Sequence, residues 1–190
     1  MKSICVYGSS SAAIDQSFMD AAYRLGGIIA DRGYGLIFGA GDMGVMGATA
    51  RGAHNRGGKV TGVLPSFMNV DGIPYNDCDE IIVTSTMRER KHIMETRADA
   101  FIAAPGGVGT FEEFFEVLTL KQLRQHKKAI VLLNIDGYYD KIQDLMENAV
   151  RLNFTKVPML ELYRLTDTPE EAVDYILGYK YTDVPDKWFT

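Results

Sequence analysis

Short apolar runs alternate with longer amphipathic stretches along the whole chain, and this alternation is the feature that most restricts the fold. Runs of about 4–8 apolar residues fit buried strands, whereas longer stretches with apolar residues three and four positions apart fit helices. Strands and helices in regular alternation are typical of βα units around a parallel sheet. The predicted strands are residues 3–7, 35–38, 59–64, 80–84, 99–103, 129–133 and 163–166. The predicted helices are residues 14–31, 44–55, 86–98, 110–125, 138–152 and 169–177.

This order of elements predicts an α/β fold: a Rossmann-like, doubly wound, mostly parallel sheet with helices on both faces. The chain has 190 residues, 46% of them hydrophobic, and no linker or repeat interrupts it, so we expect one domain over residues 1–190. The formal net charge of -5 argues against a nucleic-acid partner, because binding to phosphate backbones needs clustered positive charge.

Cysteine usage and hydropathy favour the cytoplasm. Of only two cysteines, Cys5 lies in a predicted buried strand and Cys78 in a loop, so a reducing compartment is expected. No apolar run approaches the roughly 18 residues of a membrane span, and no cationic and apolar leader opens the chain.

His54, His92 and His126 lack the spacing of metal ligands, so no metal site is expected.

The segment Ala-Pro-Gly-Gly-Val-Gly-Thr-Phe-Glu-Glu at 104–113 leads from a predicted strand directly into a predicted helix. Free backbone N–H groups and the positive end of the helix dipole meet at such a turn, which favours an anion, most often a phosphate. Gly106, Gly107 and Gly109 let the backbone approach a ligand and adopt positive φ where this is needed. The segment therefore predicts a ligand that carries a phosphate.

Three other glycine-rich or polar segments follow predicted strands, at 8–11, 39–44 and 84–90. Ligands of open α/β sheets bind beyond the carboxyl ends of the strands, so these segments should converge with 105–113. Ser9 would offer its hydroxyl and amide to the ligand there. The glycines at 39–44 fit a dinucleotide pattern, but the acidic residue expected about 20 positions later is missing. We therefore favour a turn for nucleotide binding or for helix–strand packing, and expect no cofactor.

Thr110 and Glu113 allow two interpretations. Thr-x-x-Glu at a helix start is a capping box, in which the hydroxyl accepts from the N–H of Glu113 and the carboxylate from the N–H of Thr110. A cap explains neither the glycines upstream nor the second carboxylate at Glu112. Because a carboxylate repels a bound phosphate, its presence indicates a use, such as holding sugar hydroxyls or stabilising developing positive charge.

Arg90 and Lys91 lie beside a stripe of Met87, Met94 and Ala98 that is expected to face the core. Such side chains often pack their stems and leave their charged heads in water. At the ligand-binding edge of a sheet, an arginine can instead clamp a phosphate or a ribose with its fork of donors. The residues alone leave both interpretations open.

The helix predicted at 110–125 is apolar on two sides. One face carries Phe111, Phe114, Phe115 and Leu118, and another carries Leu120 and Leu123. A helix of this kind needs two burial partners, one of which can be a second subunit. We expect a homodimer in which this helix lies near the twofold axis.

Pro-Gly-Gly-Val-Gly-Thr-Phe-Glu-Glu at 105–113, together with Met-Arg-Glu-Arg-Lys-His-Ile-Met at 87–94, closely resembles the LONELY GUY (LOG) family, whose members are often labelled lysine decarboxylases. The resemblance extends to residues 5–10, 39–47 and 134–139. It implies a phosphoribohydrolase that cuts the N-glycosidic bond of cytokinin riboside 5′-monophosphates and, in bacteria, often of AMP. It also implies a dimer with the site near the interface, and no metal or redox cofactor.

The resemblance assigns roles to single residues. Arg90 and Glu113 take the catalytic positions, while Lys91, Thr119 and the segment 107–113 take positions that contact the substrate. With Ser9 and Gly106 added from the strand ends, the predicted substrate contacts are Ser9, Lys91, Gly106, Gly107, Val108, Gly109, Thr110, Phe111, Glu112 and Thr119. The expected substrate is a purine nucleoside 5′-monophosphate.

Two positions depart from the family pattern. Residues 39–41 read Gly-Ala-Gly where the family has three glycines, and Gly72 stands where relatives that act on plant hormones carry a glutamate. We therefore expect the preferred base to differ from that of the relatives that act on plant hormones, whereas the reaction is expected to be the same.

Two alternative functions remain. One is a non-hydrolytic carrier of a nucleotide or molybdenum cofactor. The other is a lysine decarboxylase, for which a Ser-x-His-Lys segment that binds pyridoxal phosphate is missing.

Overall fold

The computed structural model describes residues 1–182. Its strands are β1 (Ser3–Tyr7), β2 (Gly35–Phe38), β3 (Val60–Pro65), β4 (Glu80–Thr84), β5 (Ala100–Ala103), β6 (Ala129–Leu133) and β7 (Arg164–Thr166). They pair in parallel throughout, in one sheet of order β4-β3-β2-β1-β5-β6-β7. The predicted α/β fold with a parallel sheet is confirmed. Residues 183–190 of the predicted domain lie outside the described part of the chain.

The described chain has six α-helices, of which the first five lie between strands and the sixth follows β7. They are α1 (Gln16–Asp31), α2 (Gly44–Asn55), α3 (Met87–Arg97), α4 (Val108–Gln122), α5 (Asp140–Arg151) and α6 (Pro169–Gly178). Short 3-10 turns, which the apolar pattern did not predict, lie at Ser66–Met68, Ile135–Gly137 and Val157–Glu161. Within residues 1–182, no helix combines the length and the apolar character needed to cross a membrane.

The helices cover both faces of the sheet. Helices α1, α2 and α6 bury residues such as Leu25 and Val173 on one face. Helices α3, α4 and α5 bury residues such as Met94 and Phe114 on the other. The central strands are apolar at nearly every position because both of their faces are covered.

The strand order reverses at the centre of the sheet and so creates a crevice. From β1 the chain runs outward through β2, β3 and β4, and then returns to place β5 on the other side of β1. Open α/β folds bind ligands at such a switch point, beyond the carboxyl ends of the strands. In this chain those ends lead into Ser9, after β1, and into the glycine turn, after β5.

Candidate active site

Helix α4 begins two residues earlier than predicted, and this changes the role of Thr110. Gly107 is the N-cap residue, and no side chain caps the helix. The first turn therefore presents backbone N–H groups that have no partner within the helix. Of the two interpretations of Thr110 and Glu113, the capping box is wrong, since Thr110 lies in the first turn and the Glu113 carboxylate binds Arg90 instead.

The three glycines of the turn differ in their surroundings. A Cβ on Gly106 would lie 2.1 Å from Oγ1 of Thr110, so only glycine fits there. A Cβ on Gly107 or on Gly109 would meet no protein atom within 4 Å. None of the three has a positive φ. Positive φ is therefore not required at these positions, and open space in front of the helix is what distinguishes Gly107 and Gly109.

Arg90 and Glu113 form a buried ion pair between α3 and α4. Nη1 of Arg90 donates to Oε1 of Glu113 at 3.0 Å, and Nε donates to the carbonyl of Val63 at 3.0 Å. The two side chains are only 9% and 10% exposed, so the interpretation of Arg90 as a solvated surface residue is wrong. Gly39 makes room for the guanidinium, because a Cβ there would lie 2.1 Å from Nη2.

Burial controls the protonation of Glu113. It raises the pKa of this carboxyl to about 7, and the positive charge of Arg90 offsets only part of the rise. A carboxyl group with a pKa near neutrality exchanges its proton readily at physiological pH, as acid–base catalysis requires. The pair thus combines a fixed cation with a carboxyl whose ionised fraction changes around neutral pH.

Lys91 is held by two carboxylates of α4. Its Nζ donates to Oε1 of Glu112 and lies 2.8 Å from Oε2 of Glu116. Burial lowers the pKa of Lys91, but the bonds to these carboxylates outweigh it and the net direction is upward. Glu116 was not among the predicted site residues, although its four-residue spacing from Glu112 places both carboxylates on one side of the helix.

The loop after β1 closes the opposite wall of the crevice. The N–H of Ser9 donates to the carbonyl of Pro105 at 3.1 Å, and the N–H of Met46 donates to the carbonyl of Ser9 at 3.1 Å. Gly44 has a φ of 61°, and a Cβ there would lie 2.7 Å from the Ser9 carbonyl oxygen. Gly39 and Gly44 of the glycine pattern therefore pack against Arg90 and against the Ser9 loop.

Some predicted residues lie apart from this cluster. Thr119 is exposed and lies nine residues beyond Thr110, about 14 Å along the helix at 1.5 Å per residue. Val108 is 83% exposed at the mouth of the site, and Phe111 packs edge-on against Tyr139. Met87, predicted to face the core, is 37% exposed.

A separate cavity of about 220 Å³ lies at the other end of α4, where its lining includes Lys121, Met159 and Leu162. None of the predicted site residues lines it. The candidate site is therefore the open crevice at the strand ends, which is defined by its charged pair and its backbone amides rather than by enclosed volume.

A family profile described as "Possible lysine decarboxylase" matches residues 46–176. The cytokinin riboside 5′-monophosphate phosphoribohydrolase LOG of Oryza sativa subsp. japonica is 41% identical over 181 residues, which cover 93% of this chain and 75% of the rice protein. The chain belongs to the LOG family. The probable cytokinin riboside 5′-monophosphate phosphoribohydrolase LOGL5 of the same plant is 40% identical over 155 residues, 82% of this chain. The LOG-family chain spans only 63% of the length of LOGL5.

Solved structures share the fold of this LOG-family chain. The molybdenum cofactor carrier protein of Chlamydomonas reinhardtii superposes with a TM-score of 0.71 at 27% identity, over 94% of this chain and 100% of the carrier. The family profile covers both halves of the buried pair, since Arg90 and Glu113 fall within residues 46–176. Ser9 and the whole glycine pattern at 39–44 fall outside that range.

Proposed function

We propose that this protein hydrolyses the N-glycosidic bond of purine nucleoside 5′-monophosphates and releases the free base and ribose 5-phosphate. The observation that carries the proposal is the buried pair of Arg90 and Glu113 beside the uncapped start of α4. The relatives in rice, LOG and LOGL5, are named as phosphoribohydrolases of cytokinin riboside 5′-monophosphates, which supports this reaction.

The phosphate binds to the amides of residues 106–110, where the helix dipole favours an anion. Cleavage of an N-glycoside passes through an oxocarbenium-like state, in which positive charge grows on the sugar. Glu113 lies one turn further along the same helix, and its carboxylate stabilises this charge or activates the attacking water. The shared helix fixes the distance between the phosphate and the carboxylate.

Arg90 is the second catalytic residue of the proposal. Its guanidinium is held by Val63 and Glu113, so its remaining donors have a fixed direction. In that position it orients the sugar or phosphate and donates to the base, which gains negative charge as it leaves. The cation also limits the cost of burying the Glu113 carboxylate between turnovers.

Lys91 can contact the substrate only if it leaves one of its ion-pair partners, and Thr119 only if a second copy of the chain is present. Lys91 is paired with Glu112 and Glu116, so it reaches a phosphate only by exchanging one of these partners. Thr119 lies too far from its own glycine turn to contact the same ligand, so its predicted contact requires a second copy of the chain. The other proposed contacts are Ser9, Gly106, Gly107, Val108, Gly109, Thr110, Phe111 and Glu112.

We infer that the loop around Gly72 influences which purine base is preferred. Gly72 has a φ of 84°, and a side chain at that backbone conformation is strained. A glutamate, which hormone-specific relatives are expected to carry at this position, would therefore require a different loop conformation. The loop at 65–79 is consequently the segment in which we place base selection.

Chromatographic detection of free base from a panel of nucleoside monophosphates tests the proposal. Gly109→Ala and Gly178→Ala are a matched pair, because an added Cβ meets no protein atom at either position. Both variants should fold as the wild type does. Gly109→Ala should lose at least tenfold in adenine release from AMP, since its methyl group enters the phosphate position, whereas Gly178→Ala should retain full activity.

The catalytic assignment has its own test. Glu113→Gln and Arg90→Ala should each lower turnover by about 10²-fold, the scale of a preorganised electrostatic group. Folding is checked by circular dichroism and thermal unfolding. Near-normal turnover in both folded variants would overturn the assignment.

The fold shared with the Chlamydomonas carrier favours one alternative, a carrier of a nucleotide or of molybdenum cofactor. A carrier would bind its ligand without releasing a free base. Stoichiometric binding of AMP with no adenine formed over hours would support the carrier and exclude the hydrolase.

We also propose that the protein is a cytoplasmic homodimer. Leu123 is 37% exposed directly after α4, and Phe115 and Leu120 are only half-buried within the helix. These apolar groups support a contact between copies near the site. Both cysteines are free, which is compatible with a reducing compartment.

A further inference from the structure

Each of three successive carbonyl groups in the turn after β5 has its own hydrogen-bond donor. The hydroxyl of Tyr139 donates to the carbonyl of Ala104 at 2.7 Å, and the hydroxyl of Tyr138 donates to the carbonyl of Gly106 at 2.5 Å. Between them, the carbonyl of Pro105 accepts from the N–H of Ser9 at 3.1 Å. The backbone of the turn is thus held from both sides, by β6 and by β1.

These bonds also fix the directions of the amide groups. A trans peptide is planar, and its C=O and N–H point in opposite directions. Holding the Gly106 carbonyl therefore aims the N–H of Gly107 away from Tyr138, and holding the Pro105 carbonyl aims the N–H of Gly106 away from Ser9. The Ala104 carbonyl shares its peptide with the nitrogen of Pro105, which has no hydrogen.

The peptide between Gly106 and Gly107 is the one that most needs such a restraint. Glycine has few steric barriers, so a peptide between two glycines rotates easily. If it rotated, the carbonyl oxygen of Gly106 would replace the N–H of Gly107 at the start of α4. The oxygen carries partial negative charge and would repel a bound anion.

The segment after β6 carries the two tyrosines that donate to the turn after β5. Asn134 anchors it, because its Oδ1 accepts from the N–H of Tyr139 at 2.6 Å and its Nδ2 donates to Asp140 at 3.0 Å. Asp136 and Gly137 have φ values of 53° and 72°, which turn the chain back toward β5. The ring of Tyr138 then packs edge-on against Phe18.

We propose that Tyr138 is a positioning residue of the anion site. Its hydroxyl holds the Gly106 carbonyl and thereby keeps the Gly107 N–H directed at the 5′-phosphate of the substrate. This inference rests on the proposed function only in naming that phosphate. Tyr139, whose hydroxyl bonds across a peptide without an amide hydrogen, stabilises the strand end and does not orient a donor.

Tyr138→Phe and Tyr139→Phe test this difference, since each removes one hydroxyl group. Calorimetric titration with inorganic phosphate should show binding about 5–10-fold weaker for Tyr138→Phe, the loss expected for one well-oriented hydrogen bond. With AMP as substrate, its KM should rise by a similar factor while kcat changes less than twofold. Tyr139→Phe should bind phosphate within twofold of the wild type but unfold at a lower denaturant concentration, because the hydroxyl it removes is buried.

A third variant is the control for a general effect of removing a tyrosine hydroxyl. Tyr163→Phe removes a hydroxyl that donates to Gln143 at 2.7 Å, outside the crevice, and should leave phosphate binding unchanged. Wild-type phosphate affinity in folded Tyr138→Phe, or an equal loss in all three variants, would overturn the proposal. If the wild type binds phosphate but releases no base, the hydrolase fails while the titration of Tyr138→Phe still decides the positioning role.

Discussion

Glu113 is the residue at which burial and charge act in opposite directions. Burial favours the neutral acid, whereas the guanidinium of Arg90 at 3.0 Å favours the carboxylate. The result is a pKa raised to about 7 instead of one lowered by the ion pair. In the proposed reaction the carboxylate is the active form, because only a negative charge stabilises the oxocarbenium-like state.

The pH dependence of AMP hydrolysis follows from this pKa. About a tenth of Glu113 is ionised one unit below its pKa and about nine tenths one unit above it. Activity should therefore rise about tenfold between pH 6 and pH 8, in steady-state measurements of kcat/KM. The phosphate of AMP also titrates near pH 6, so Glu113→Gln is the control. Its residual activity should retain the phosphate titration and lack the step near pH 7, and an unchanged profile would assign that step to another group.

Ala40 shows why a family departure is tolerated at the residue scale. It has a φ of 60°, in the left-handed region that favours glycine, which accounts for the glycine expected at this position in relatives. Its methyl group is buried, with only 1% of the residue exposed, and lies next to Gly62. Burial of one methyl group is worth about 0.8 kcal/mol, which offsets part of the roughly 1–2 kcal/mol cost of the left-handed conformation.

At the scale of elements, α1 and α2 pack with their backbones almost in contact. A Cβ on Gly26 would lie 1.9 Å from the Thr49 carbonyl oxygen, and one on Gly52 would lie 1.9 Å from that of Tyr23. The close approach matters for the site because α2 begins at Gly44, which lies against the Ser9 loop. Separating the two helices would therefore move one wall of the crevice.

Gly26→Ala should lower the free energy of unfolding by about 2 kcal/mol or more, since overpacking against backbone atoms cannot be relieved by a side-chain rotation. The neighbouring Gly27→Ala is the control, because its Cβ would make an ordinary contact 3.5 Å from Cγ of Arg56. That variant should be unchanged or gain up to about 1 kcal/mol from helix propensity. Urea unfolding measures both, and equal stability of the two variants would contradict the packing argument.

The alternation of apolar runs predicted the type and order of every strand and α-helix in the described chain, because burial of each element leaves a local pattern. Ends of elements were less predictable. Thr110 was predicted as the start of α4 from its capping pattern, but the structure starts the helix at Val108 without a side-chain cap. A helix start without a side-chain cap lacks the capping residue by which helix starts are predicted from sequence.

The sequence proposed candidate site residues but did not predict the contacts that surround them. Strand ends and motifs identified Ser9, Arg90 and Glu113 as candidates for one location. The burial of Arg90 depends on Val63 and Gly39, which are 27 and 51 positions away in sequence, and no local periodicity encodes such contacts. The tyrosine bonds to the glycine turn, across 32 and 35 positions, were missed for the same reason.

At the scale of the whole molecule, the candidate site lies at one end of the parallel sheet. Carboxyl ends of the strands carry the glycine turn, the Ser9 loop and the Arg90–Glu113 pair. Helices on the two faces differ as well. Helix α4, which starts at the site, continues into an exposed Leu123, whereas α6 on the opposite face has no predicted site residue.

This asymmetry makes the proposed dimer testable. Sedimentation at micromolar concentration should give twice the chain mass of 21.1 kDa. Leu123→Asp should shift the protein toward monomer, because it places a charge in an apolar contact. Leu177→Asp is the matched control, since Leu177 is 40% exposed, close to the 37% of Leu123, but lies on α6. A monomeric wild type, or equal dissociation of both variants, would remove α4 from the interface and leave the predicted contact of Thr119 without a partner chain.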